Sequence, residues 1–89
     1  MTVRKHIQFY GRVQGVGFRY HATYKARELE LTGWVRNEDD GSVEMEVQGD
    51  PDRINLLLLY LFKQRFIRIE DMKEEKIELK KETTFREVW

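Results

Sequence analysis

Gly11-Arg12-Val13-Gln14-Gly15-Val16-Gly17-Phe18-Arg19 is the stretch on which the fold turns. Just before and into it, residues 5–13 alternate. Ile7, Phe9, Gly11 and Val13 share one parity, and His6, Gln8, Tyr10 and Arg12 share the other. That period of two predicts a half-buried strand from Lys5 to Val13. Beyond it the period changes. Phe18, Ala22, Ala26 and Leu29 recur at helical spacing, which predicts a helix from Phe18 or Arg19 to Glu30, with Gly33 marking its exit. Gly15 and Gly17 lie at the junction. A strand that passes into a helix through glycines can wrap backbone N–H groups around an anion.

Working outward, Thr32 to Asn37 predicts a second strand and Asp39-Asp40-Gly41 a tight turn. Ser42 to Gln48 then alternates Val43, Met45 and Val47 against Glu44, Glu46 and Gln48, so the hairpin has one packed and one exposed face. Asp50-Pro51 opens a second helix. Asp50 can cap free N–H groups, and Pro51 stands where a missing N–H costs nothing. This helix runs to about Phe62. Phe66 to Met72 is expected to be a strand, with Ile77 and Leu79 extending it or joining a neighbour. The charged run Asp71 to Lys76 reads as a strand end or turn, and Thr83 to Trp89 as a short extra C-terminal strand. The order βαββαβ predicts an α+β, ferredoxin-like two-layer sandwich. Its sheet is mostly antiparallel, with two helices on one face.

The chain has 89 residues, expected to form a single domain over residues 1–89. It has no cysteine, which excludes disulfides, thiolate metal sites and cysteine nucleophiles. Sixteen basic residues balance sixteen acidic ones, which argues against strong nonspecific nucleic-acid binding. Residues 1–6 lead into no signal-peptide apolar run, and the greasiest stretch, Ile54 to Phe62, is too short to span a bilayer. A cytoplasmic location is expected.

Gln14 to Arg19 are the candidate anion cradle. Their N–H groups and the helix N-terminus supply partial positive charge, and Arg19 a bidentate fork. The same residues also suit a plain glycine-rich turn with its arginines in solvent. Neither the dinucleotide fingerprint nor the ATPase phosphate loop fits, since the acidic partner and the Gly-Lys-Ser/Thr ending are missing. Asn37 is the second candidate. If its strand neighboured the first, its amide could reach the loop and orient a water, although asparagine before a turn is also ordinary turn chemistry. His6 and His21 lack a third ligand at metal-binding spacing.

Taken together, Gly11 to Arg19 resembles the signature of the acylphosphatase family almost residue for residue. Thr32-Gly33-Trp34-Val35-Arg36-Asn37 resembles its second block, and Asp40-Gly41-Ser42-Val43-Glu44 and Gln48-Gly49 continue the likeness. It is close over residues 5–62 and loose beyond. The resemblance implies a ferredoxin-like fold and hydrolysis of the carboxyl–phosphate bond of acyl phosphates, with no metal or other cofactor. It carries the catalytic arginine onto Arg19 and the catalytic asparagine onto Asn37. It carries the phosphate cradle onto Gln14, Gly15, Val16, Gly17, Phe18 and Arg19. The implied partners are small acyl phosphates, with no nucleic acid and no membrane.

The second half departs from that family. Its members commonly have glycine, often with proline, after the second helix, where this chain has Phe62-Lys63-Gln64-Arg65-Phe66. No glycine is there to end the helix. Ile54, Leu57, Leu58 and Leu61 form the expected inward stripe, widened by Leu56, Leu59, Tyr60 and Phe62. A broad helix–sheet contact in a monomer accounts for the widening; homo-oligomerisation through this helix is the alternative. Two other functions stay open: a non-enzymatic phosphate or carboxyl-phosphate binding module, and RNA binding on the open sheet face, for which no aromatic recognition motif is present.

Overall fold

A computed structural model describes all residues from Met1 to Trp89. The elements in order are β1 (Val3–Arg12), α1 (Phe18–Glu28), β2 (Thr32–Asn37), β3 (Val43–Gly49), α2 (Pro51–Phe62), β4 (Arg68–Ile77) and β5 (Phe85–Val88). One sheet holds all five strands in the order β4-β1-β3-β2-β5. Every pairing is antiparallel except β2 with β5. This is the expected ferredoxin-like α+β sandwich, with β5 as its extra edge strand. No helix is long and apolar enough to cross a membrane.

The alternation read from the sequence sorts the two faces. Ile7, Phe9, Val35, Met45, Val47 and Phe85 are fully buried and pack beneath Phe18, Ala22 and Ala26 of α1 and Ile54, Leu57 and Leu61 of α2. The other face is polar. There Arg4 is fully buried; its Nε donates to Glu46 Oε1 (2.9 Å) and its Nη1 to Glu82 Oε1 (2.5 Å) and Gln48 Oε1 (3.2 Å). Its Nη2 lies 2.8 Å from the same Glu46 oxygen without hydrogen-bonding geometry.

Three readings change, and the end of α2 gains its explanation. First, α1 ends at Glu28, and Gly33 is not its punctuation. Glu30 takes the left-handed position (φ 59°), Glu30 N–H donates to Arg27 O, and Leu31 N–H donates to Ala26 O at 2.9 Å. That is a Schellman ending with glutamate in the place glycine usually holds. Gly33 instead lies within β2, where a Cβ would overlap the Glu46 carbonyl. α2 needs no glycine cap because Gln64 closes it: its Nε2 donates to Tyr60 O (3.0 Å) and its N–H to Leu61 O (3.2 Å). Second, the charged run 71–76 is the middle of β4. A β-bulge sets Tyr10 opposite Asp71 and Gly11 opposite Ile69, leaving Glu70 as the extra residue. Ile69 and Met72 therefore both pack against the core, three residues apart, and the alternation is broken. Third, Leu56, Leu59 and Phe62 stay about half exposed, so a broad helix–sheet contact does not account for them. Tyr60 alone of that set packs inward.

Candidate active site

β1 and β2 are not neighbours, so the adjacency on which the sequence rests the approach of Asn37 to the loop is absent. β3 lies between them and runs antiparallel to both. The two therefore point the same way, and their C-terminal ends share one edge of the sandwich. β5, parallel to β2, ends at that edge as well. The chain thus delivers three strand ends and the start of α1 to one place.

The loop from Val13 to Gly17 is shaped by its glycines. Gly15 (φ 72°) and Gly17 (φ 82°) are both left-handed. Nothing lies within 4 Å of where a Gly15 Cβ would be, so this glycine answers to backbone geometry rather than crowding. Val16 packs against the core and pins the middle of the loop.

The two helix starts differ. At α2, Asp50 accepts from Asp52 N–H, and Asp52 adds a carboxylate to the first turn. At α1, Gly17 offers no side-chain cap, and no acidic residue occupies the first turn. The positive end of α1 thus has neither a side-chain cap nor a first-turn carboxylate of its own.

A cavity of about 230 Å³ opens at this point, lined by Gly15, Gly17, Phe18, Arg19 and Asn37, with Val13, Tyr20, Glu87 and Trp89 completing the wall. Arg19 is braced from the far side: its Nη1 donates to Val88 O at 3.3 Å, and its guanidinium carbon lies 3.9 Å from the centre of the Trp89 ring. Asn37 ends β2 and lines the same cavity. Of the expected site residues, Gly15, Gly17, Phe18, Arg19 and Asn37 meet at the cavity.

The side chain of Gln14 turns elsewhere. Its Nε2 donates to Glu38 O (2.7 Å) and Ser42 O (2.8 Å), tying the loop to the turn just after Asn37. That turn is itself fastened. Asp40 Oδ1 accepts from Ser42 Oγ (2.5 Å) and Ser42 N–H (2.9 Å), and these bonds hold the Asp40 carboxyl below its ordinary range.

Glu87 and Trp89 were not foreseen at the site. Their strand was expected, but a parallel pairing across 52 residues of chain leaves no local signal of its neighbour. The histidines are otherwise engaged: His6 Nε2 lies 2.6 Å from Glu44 Oε2, and His21 Nδ1 lies 3.1 Å from Tyr60 Oη. No three His, Asp or Glu side chains converge as a metal site requires.

An uncapped helix start, a left-handed glycine loop, one guanidinium and one amide thus meet at one end of a ferredoxin-like α+β sandwich. Residues 5–87 match the profile of the family described as Acylphosphatase. The acylphosphatase of Thermococcus kodakarensis is 54% identical over 56 residues, covering 63% of this chain and 62% of that relative. The chain's match thus spans just under two thirds of that relative's length. The acylphosphatase of Aliivibrio fischeri is 42% identical over 77 residues, covering 85% of this chain and 86% of the relative. The crystal structure of acylphosphatase from Bacillus subtilis superposes with a TM-score of 0.91 at 32% identity, covering all of both chains. The chain belongs to the acylphosphatase family.

Proposed function

We propose that residues 1–89 act as one unit that hydrolyses acyl phosphates to a carboxylate and inorganic phosphate. The observation that carries this reading is the meeting of Arg19 and Asn37, from different elements, at a cavity that also holds the uncapped start of α1. The phosphoryl group sits against the N–H groups of Gln14 to Arg19. Arg19 grips its oxygens and counters the charge that shifts as bonds rearrange. Asn37 has a donor and an acceptor on one amide, so it can hold a water and touch a phosphoryl oxygen.

The reaction then needs little else. The water oxygen bonds to phosphorus as the bond from phosphorus to the acyl oxygen breaks. The electron pair of that bond leaves on the carboxylate, a good leaving group that needs no strong general acid. The water's proton passes to a phosphoryl oxygen of the substrate, since an amide is no base near neutral pH. No phosphoenzyme forms; the chain's own groups position and stabilise, and no metal or cofactor enters.

The binding-module reading separates from this one by turnover. Acetyl phosphate and benzoyl phosphate are assayed in chelator with the parent chain, Arg19→Ala and Asn37→Ala. Hydrolysis by the parent is expected. Arg19→Ala loses binding and turnover together, and Asn37→Ala chiefly turnover, each by about 3 kcal/mol or more of transition-state stabilisation. Near-normal turnover in both folded variants rejects the assignment, and a folded but inactive parent favours the binding module.

A further inference from the structure

A second cleft, of about 530 Å³, runs along α1 beside β5 and shares Tyr20 and Glu87 with the anion cavity. The first cavity is smaller than the roughly 300–1,000 Å³ typical of organic-ligand sites, while the second falls within that range. Tyr20, Thr23, Tyr24 and Arg27 lie along one stripe of α1 and form its wall and floor. The Tyr20 and Tyr24 rings are nearly parallel, 14° apart with centroids at 6.5 Å, and both are more than half exposed. Thr23 is 92% buried, yet its Oγ1 has no hydrogen-bond partner. A buried hydroxyl without a partner costs stability unless something else satisfies it.

We propose that this cleft holds the acyl arm of the substrate, and that it favours an uncharged, planar, aromatic acyl group carrying a hydrogen-bonding substituent. This rests on the acyl-phosphate reading of the adjoining cavity. The parallel tyrosine faces offer flat apolar surface for a ring to stack on. Thr23 Oγ1 partners the substituent. Glu28 is ion-paired with Lys25, and Arg27 and Glu87 balance each other, so the cleft offers no net charge to hold a charged arm.

The test compares acetyl phosphate, benzoyl phosphate and a ring-hydroxylated benzoyl phosphate on the parent chain, Tyr24→Ala and Thr23→Val. In Tyr24→Ala the benzoyl-to-acetyl ratio of kcat/KM is expected to fall about fivefold, through KM. In Thr23→Val the preference for the hydroxylated ring over the plain one is expected to fall by a similar factor. Unchanged ratios in both variants, with all three substrates still hydrolysed, overturn the cleft assignment and leave the acyl-phosphate reading standing. No hydrolysis of any substrate by the folded parent overturns that reading, and the cleft assignment with it.

Discussion

The guanidinium of Arg19 is clasped by the end of β5 and the residue after it: its carbon lies 3.9 Å from the centre of the Trp89 ring, and Nη1 reaches the carbonyl of Val88. An arginine that grips a phosphoryl group works best when its rotamer is already fixed, because less freedom is lost on binding. Trp89 is largely exposed, so its contribution belongs at the low end for cation–π contacts, about 0.5–1 kcal/mol. Trp89→Ala should lower kcat/KM by about two- to fivefold without unfolding the chain, and Trp89→Phe should restore part of the loss. Steady-state kinetics on an acyl phosphate, beside a thermal melt, check this.

The side chain of Gln14 is a tether, distinct from the backbone N–H that the residue lends to the cradle. Its amide satisfies the carbonyls of Glu38 and Ser42, and so fixes the distance between the loop and Asn37. Gln14→Ala removes both bonds, at about 1 kcal/mol each in stability. Turnover should fall more than affinity for inorganic phosphate, because the cradle N–H groups remain while Asn37 drifts. Urea unfolding and phosphate inhibition separate the two effects; equal losses in both would show that Gln14 shapes only the cradle.

The end of α1 offers a stabilising change. Glu30 occupies a left-handed backbone position that costs a non-glycine residue about 1 kcal/mol or more. Its ion pair with Arg53 (3.0 Å) joins two well-exposed side chains and contributes little. Glu30→Gly should therefore raise stability by about 0.5–1 kcal/mol, seen as a Tm a few degrees higher. A lower Tm would show that the ion pair outweighs the backbone cost.

Acid should weaken the open face of the sheet. Burial pushes the Glu46 carboxyl up, and is the largest single influence on it. The hydrogen bonds from Arg4 and Lys80 and their charges together pull harder, so it rests below its ordinary value of 4.5. A carboxylate with a lower pKa in the folded chain stabilises it fully above the unfolded value, and that stability is lost as pH falls through the folded value. The urea midpoint should hold near neutral pH and drop below about pH 4.5. Glu46→Gln should be less stable at neutral pH, since Arg4 stays buried, and should show a smaller acid drop.

The first half of the chain could be read closely because its signals are local. β1, the glycine loop and α1 follow from a change of period at Gly15 and Gly17. The Asp50 cap was legible for the same reason, and Asp50 Oδ1 accepts from Asp52 N–H at 2.8 Å. What stayed hidden depends on distant partners. The bulge at Glu70 put Ile69 and Met72 on one face, so the strand expected from Phe66 to Met72 was read as ending or turning in the charged run where β4 continues. Gln64 closes α2 with a side chain, which composition does not distinguish from a surface glutamine. The placement of Glu87 and Trp89 beside Arg19 needed the order of the whole sheet.

That last pairing ties two events across the chain. Arg19 and Val88 are 69 residues apart in sequence, and one is steadied by the other. By linkage, an anion that binds only when Arg19 is held in place also favours the state in which β5 is docked. Edge strands open more readily than central ones, so β5 is where this coupling becomes visible. Saturating phosphate should slow amide hydrogen exchange in Phe85–Val88. Occupancy of a loop near one end of the sequence is thus recorded in the breathing of the strand at the other.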